Sequence, residues 1–366
     1  MRLTDLRAMR DLDWLMILIA LALCGLGVLQ IYSATHETKF MNVWWRQIVY
    51  IVAGLVLMWL VCSVDYHTLV GQVPVLYIVT VILLLVAATV GTKLFGSRRW
   101  IPLFFGFSFQ VSEFAKIVVV LLVTRYLTGL RRARLDARDI FKLSGMVAVL
   151  CLLVAVQPDL GTALTYLPIL AVGMFVAGLR SRHVAILALI CVVAPVVSYE
   201  FLLKDYQKKR WLAFLDPEDY KKGKGYQVIQ SQIAIGSGQA WGRGVTHGTQ
   251  TRLRFLPVSH ADFIFATYSE EQGYVGVIFA LGLYMLLLLQ IVQNAQSAPD
   301  RAGMYICMGV AALFLFHLLV NVGMVAGMVP VTGIPLPFMT PGGSSTLTTF
   351  MLLGLVNNVR LRRFIS

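Results

Sequence analysis

The chain has 366 residues, 58% hydrophobic and 13% charged, with a net charge of +13 and a mean hydropathy of +0.77. A soluble domain carries about 25% charged residues, so this composition excludes an ordinary soluble fold. The basic excess sits in loops between apolar runs, where it fits membrane topology and anionic lipid; no nucleic-acid-binding motif accompanies it.

Apolar runs of about 20 residues match the bilayer core, and the short alternating segments of a transmembrane barrel are absent. The chain reads as a single all-α polytopic membrane domain over 1–366. About ten transmembrane helices are expected near 14–32, 44–63, 71–91, 109–128, 143–157, 162–179, 184–203, 272–292, 304–327 and 343–359, with one long extracytoplasmic loop over 204–271. The first run is too long for a signal-peptide core and lacks a small-residue cleavage site, so it reads as a retained helix. The fifth and sixth are short and meet at Gln157-Pro158-Asp159-Leu160-Gly161-Thr162. Cys24, Cys62, Cys151, Cys191 and Cys307 lie in apolar runs without CxxC spacing and read as packing residues.

Orientation follows from the short loops. Arg2, Arg7 and Arg10 precede the first span; Arg125, Arg131, Arg132, Arg134, Arg138 and Lys142 follow the fourth; Arg180 and Arg182 follow the sixth; Arg360, Arg362 and Arg363 follow the last. With an even number of spans these share one side, which the positive-inside rule places in the cytoplasm together with both termini. The 204–271 loop then faces outward. It is itself basic, with Lys208, Lys209, Arg210, Arg243, Arg252 and Arg254 among its cations, and reads either as a solvated loop or as an attractor of anionic ligand. Within it, 225–236 mixes Val228, Ile229, Ile233 and Ile235 with glutamines, as a helix lying in the interface would. Gly236, Gly238, Gly242, Gly244 and Gly248 follow, where backbone N–H groups are candidates to face phosphate.

Asp262 is the leading candidate for chemistry. The Phe263-Ile264-Phe265-Ala266 flank shields it from water, which favours a general base by raising the carboxylate's proton affinity, whereas a nearby cation lowers it. Glu113 and Lys116 share a helical face at i,i+3 at the outer end of the fourth span. They read as a structural ion pair or as a group in which Lys116 holds Asp262 or a phosphate. Arg99-Trp100 precede that helix, as a belt anchor or as a site for sugar and diphosphate. Asp159 reads as a helix cap or a substrate contact. Arg210, Lys209, Gln230 and Ser231 are the loop's expected substrate contacts. Glu270 and Glu271 are read at the N-terminus of the eighth span. His247 and His260 lack the spacing of a zinc site. GxSxG, P-loop and HExxH are absent, so a soluble nucleotide donor is not indicated.

Ser112-Glu113-Phe114-Ala115-Lys116, Gln157-Pro158-Asp159-Leu160-Gly161-Thr162, Gly225-Tyr226-Gln227 through Gly238, Gly248-Thr249-Gln250, Asp262-Phe263-Ile264-Phe265 and Pro335-Leu336-Pro337-Phe338 resemble, in order and spacing over the whole chain, the SEDS family (shape, elongation, division and sporulation). Gly248-Thr249-Gln250 with the following Phe255-Leu256-Pro257 resembles its elongation branch rather than its division branch. The resemblance implies a ten-helix peptidoglycan glycosyltransferase of the bacterial inner membrane. It implies polymerisation of lipid II onto a growing lipid-linked glycan, beside a class B penicillin-binding protein and the rod-shape complex. It matches Asp262 to the essential aspartate, Glu113 and Lys116 to the fourth-helix pair, and Arg99-Trp100 to the outer-loop pair. Val258, Ala261 and Pro341 depart from the family pattern. The expected chemistry is inverting transfer with Asp262 as base. The leaving diphosphate is offset by Lys116, Arg210 or Arg99, either alone or together with a divalent cation, magnesium or manganese. A lipid flippase and a non-catalytic scaffold are the rival readings.

Overall fold

In a computed structural model, the described residues are 11–36, 38, 41–94, 97–102, 108–130, 135–179, 182, 212, 214–215, 224–253, 255–256 and 260–363. The elements used below are α1 (Trp14–Thr35), α2 (Val43–Ser63), α3 (Tyr66–Gly71), α4 (Val73–Val90), β1 (Thr92–Leu94), β2 (Ser97–Pro102), β3 (Ser108–Gln110), α5 (Val111–Thr128), α6 (Ala137–Val156), α7 (Leu160–Leu164), α8 (Tyr166–Val176), α9 (Lys224–Ser237), α10 (Thr249–Arg252), α11 (Ile264–Gln296), α12 (Arg301–Val325) and α13 (Gly343–Arg362). Among the described residues, five helices are long and apolar enough to cross a membrane: α1, α2, α6, α11 and α12. The expected seventh span, 184–203, lies outside the described residues, as do Lys209, Arg210 and half of the basic residues used to orient the chain.

Three expectations need correction. The chain is not wholly helical: β1, β2 and β3 form a small antiparallel sheet just before α5, with Trp100 opposite Gln110. Glu270 and Glu271 do not open their helix; α11 begins at Ile264 and breaks at Gly273, whose φ of 64° and ψ of −167° only glycine adopts readily. The glycine-rich stretch turns backbone donors inward at Gly242, Arg243 and Gly244, where they were expected to face phosphate. It packs against this break: Gly242 N–H donates to the Gly238 carbonyl, Arg243 N–H to Glu270 O at 3.0 Å and Gly244 N–H to Glu271 O at 3.0 Å. The last two of these donors satisfy carbonyls that the break in α11 would otherwise leave bare.

The helices run so that charged and polar residues gather at two opposite ends. At one end Asp13 accepts from Asn294, Gln290 and Arg360, and the Asp13 carboxylate is buried. Beside it, His67 lies between Asp65 and Asp300 at 2.9 Å from each, Arg362 reaches Asp65 at 3.2 Å, and Tyr66 donates to Asp300 at 2.8 Å. At the other end lie the finish of α1, the sheet, the starts of α5, α11 and α13, and the turn between α6 and α7. α9 has 14 residues, about 21 Å of helix and too short for the hydrocarbon core, in keeping with a segment that does not span.

Partial burial lowers the proton affinity of His67, but its bonds to Asp65 and Asp300 win and raise it above the ordinary value. A raised folded-state affinity contributes stability below the unfolded pKa, and that stability is lost as pH rises through the folded one. His67→Gln is therefore expected to lower the melting temperature of the detergent-solubilised protein at pH 6 and to have less effect at pH 9. Solvent screening at this exposed site keeps the effect to roughly 0.5 kcal/mol. A loss that does not depend on pH would contradict the assignment.

Candidate active site

The second end of the bundle carries most of the residues singled out by sequence. Asp159, between α6 and α7, is buried. Its Oδ1 pairs with Arg99 Nη1 from β2 at 2.8 Å and accepts from Thr162 Oγ1 at 2.9 Å; its Oδ2 accepts from Gln110 Nε2 at 2.8 Å. Asp159 stands at the helix N-cap position, yet its side chain caps no backbone N–H. The capping role is replaced by an ion pair that ties the sheet to the α6–α7 turn. Gln110 N–H in turn donates to Ser344 Oγ at the start of α13. Trp100 reaches this group through the sheet, paired across the strands with Gln110.

One turn into α5, Glu113 and Lys116 form an ion pair at 2.8 Å with both side chains almost wholly buried. Lys116 Nζ also lies 3.4 Å from Nε2 of His317 on α12. Nδ1 of that imidazole is 2.8 Å from the Pro335 carbonyl. A carbonyl only accepts, so Nδ1 carries the proton and Nε2 offers its lone pair to the lysine. One turn further along α12, Asn321 Nδ2 donates to the Ile334 carbonyl at 2.8 Å and to the backbone carbonyl of Asp262 at 3.3 Å. The irregular 331–340 segment is thus pinned to α12 by two side chains spaced i,i+4. Tyr284 on α11 donates to the Pro337 carbonyl and holds the same segment from another side.

This segment connects the clusters. A Cβ on Gly161 would lie 2.8 Å from the Thr332 carbonyl, so the α6–α7 turn rests directly on it. A Cβ on Gly333, whose φ is +73°, would lie 3.4 Å from Asp262 Oδ2, so bare backbone faces the half-buried Asp262 carboxylate. His260 beside it is lowered in proton affinity by burial, against the opposing field of Asp262. The imidazole is therefore biased toward its neutral form next to the carboxylate. Asn321 Oδ1, Thr332 Oγ1 and Arg99 Nε are buried atoms with no partner among the described residues. A carboxylate whose backbone is held by Asn321 and which is set against the segment that carries Thr332, both residues with uncommitted oxygens, suits the handling of a hydroxyl-rich substrate.

The other expected contacts resolve differently. Ser231 is removed from the contact set: its hydroxyl is buried and shared between the Val228 and Val325 carbonyls at 2.8 and 2.9 Å, and it fastens α9 to the end of α12. Gln230 is half-buried on the same helix. Val258 lies outside the described residues. Sequence reading missed His317, Asn321 and Gln110. The signal was there for the first two, since they are polar residues one turn apart in an otherwise apolar span. Among the described residues no three His, Cys, Asp or Glu side chains form a metal cluster.

The chain matches the FtsW/RodA/SpoVE cell cycle protein family over residues 13–363. It is 37% identical to the peptidoglycan glycosyltransferase MrdB of Escherichia coli K12 over 96% of this chain and 94% of that one. It is 33% identical to the peptidoglycan glycosyltransferase RodA of Treponema pallidum over 98% and 99%. Among solved structures it superposes on a chain of a peptidoglycan synthase complex that coordinates polymerization and crosslinking, with TM-score 0.84 and 31% identity over 97% and 99% of the two chains. It superposes on the rod shape determining protein RodA of Thermus thermophilus with TM-score 0.72 and 29% identity over 96% and 98%.

Lys116→Met alone strands the buried Glu113 carboxylate and is expected to cost about 3–5 kcal/mol of stability. Glu113→Gln with Lys116→Met removes both charges and should recover most of that loss in thermal unfolding, yet turn over poorly because His317 loses its partner. Full activity of the double variant would reduce the pair to a structural role.

Proposed function

We infer that this chain, which belongs to the FtsW/RodA/SpoVE family, works as a peptidoglycan glycosyltransferase. It resembles RodA and acts in a membrane. The observation that carries the mechanism is the anchored Asp262. Its backbone is held by Asn321 and its carboxylate faces Gly333 at the end of the bundle where Arg99, Asp159, Glu113 and Lys116 gather.

In this reading Asp262 takes the proton from a sugar hydroxyl of lipid II. The freed oxygen bonds to the anomeric carbon of the lipid-linked chain from the face opposite the departing group. The bond from that carbon to the diphosphate oxygen breaks, and the lipid diphosphate leaves with the electron pair and with inversion. Base assistance of this kind is worth about 10²- to 10⁴-fold. Lys116 is already neutralised by Glu113, which weakens its expected role as counter-charge. Arg99 is likewise paired, with Asp159, but its side chain is 26% exposed and its Nε–H is uncommitted, so it is the better described candidate, beside Lys209 and Arg210 of the loop. Magnesium is ordinarily held by one or two carboxylates together with substrate phosphates. The protein oxygens here fit only a cation shared with the diphosphate.

The resemblance to a chain of a peptidoglycan synthase complex supports a penicillin-binding protein as partner in side-wall elongation. The finer architecture proposed is ten spans in the inner membrane, both termini in the cytoplasm and the 204–271 loop outside.

Asp262→Asn should leave folding and insertion intact and reduce glycan synthesis from lipid II by the purified protein at least 100-fold. Wild-type rate should fall at acid pH as the base is protonated. Substantial polymer from the variant would defeat the assignment. In a cysteine-free background, an impermeant thiol reagent outside the cell should modify a cysteine at position 221 and spare one at 134; the reverse pattern would invert the topology.

A further inference from the structure

A cavity of about 250 Å³ opens at the same end of the bundle, between the finish of α1, the 246–248 turn, α10 and the first half of α11. We propose that it binds an ionised carboxylate on the peptide arm of the glycan substrate, an inference that rests on the glycosyltransferase reading above. The cavity is polar, and Ser33, His36, Thr246, His247, Arg252 and Glu271 line it. Its walls are fixed. Glu271 is buried and accepts from Gln30 Nε2 and Ser33 Oγ, while Ser33 Oγ receives the Thr246 N–H at 3.0 Å. Glu270, equally buried, accepts from the backbone N–H of Gln250 at 2.8 Å and from Thr251 Oγ1 at 3.0 Å, which locks α10 in place. Thr246 holds a left-handed φ of 66°, a conformation that surrounding contacts must enforce and that clusters at binding sites.

Two acidic side chains buried near the membrane are thus spent on shaping a small cavity whose rim carries an exposed guanidinium and two imidazoles. The Glu271 carboxyl group is already hydrogen-bonded, while Arg252 presents a planar fork matched to a carboxylate. Reach supports the assignment. Nine residues of largely helical chain separate Asp262 from Glu271, roughly 13 Å at 1.5 Å per residue. An extended peptide covers that in about four residues. With the sugar at Asp262, an acidic group near the third or fourth residue of the attached peptide arrives at Arg252.

The test uses the purified full-length protein and two lipid-linked disaccharide substrates, one bearing its peptide and one without. Arg252→Gln and His247→Gln should each raise KM for the peptide-bearing lipid, Arg252→Gln by about tenfold, the order expected for loss of one charge-assisted hydrogen bond. The kcat should stay within about twofold, KM for the peptide-free lipid should not move, and Arg252→Lys should restore part of the loss. An equal shift on both lipids, a fall in kcat on both, or no shift on either would overturn the proposal. So would a KM change that appears only when a transpeptidase partner is present, which would make the cavity a protein contact. Wild-type protein that polymerises neither lipid would instead bring down the glycosyltransferase reading itself.

Discussion

In hydrocarbon there is no water to satisfy a bare carbonyl, so non-helical backbone survives at depth only where protein groups take its hydrogen bonds. The 331–340 segment lives under that constraint. Much of it is buried, and Phe338 lies at a φ of 68° that a bulky residue seldom adopts. Pro335 and Pro337 bring no N–H of their own, and the carbonyls at 334, 335 and 337 are taken by Asn321, His317 and Tyr284. The remaining turn closes on itself, with Leu336 N–H donating to Thr340 Oγ1 and Thr340 N–H to the Leu336 carbonyl. Where the bare loop of Gly333 meets the Asp262 carboxylate, where the α6–α7 turn rests and where His317 finds its second partner all follow from this one arrangement.

Much of the scaffold was legible because hydrocarbon imposes a simple rule on sequence. Long apolar runs marked α1, α2, α6, α11 and α12, the cost of an intramembrane charge marked Glu113 and Lys116, and the turn between two short spans marked Asp159. What sequence could not supply was direction. Ser231 and Gln230 share a helix, yet only the fold shows that the serine hydroxyl turns inward onto the Val228 and Val325 carbonyls. Asp159 stands where a cap would, and its real partner is 60 residues away on a strand too short to stand out in the sequence. Local rules reach about one helical turn; the pairings of Arg99 with Asp159 and of Lys116 with His317 are made by tertiary packing alone.

The two glutamates show the same limit from the other side. Acidic residues near the start of a span suggest an interaction with the helix dipole. Here α11 starts earlier than hydropathy indicates, because Phe263 to Tyr268 are apolar enough to be buried yet lie outside the long lipid-like run. Glu270 and Glu271 end up inside the fold, gathering donors from α1, α9 and α10. The described part of the loop, 224–253, is held to the bundle by these two buried carboxyl groups.

The contacts that hold the Asp262 region are made to main-chain carbonyls, and every residue has one of those. The side chains at 334 and 335 can therefore drift to other apolar residues without releasing the grip, provided their volumes still fill the core. His317 and Asn321 have no such latitude. Few residues of similar length can donate from the same point, and each reaches two places at once. Sequence variability in this region should thus be lopsided, generous along the segment being held and narrow on the single helical face that holds it.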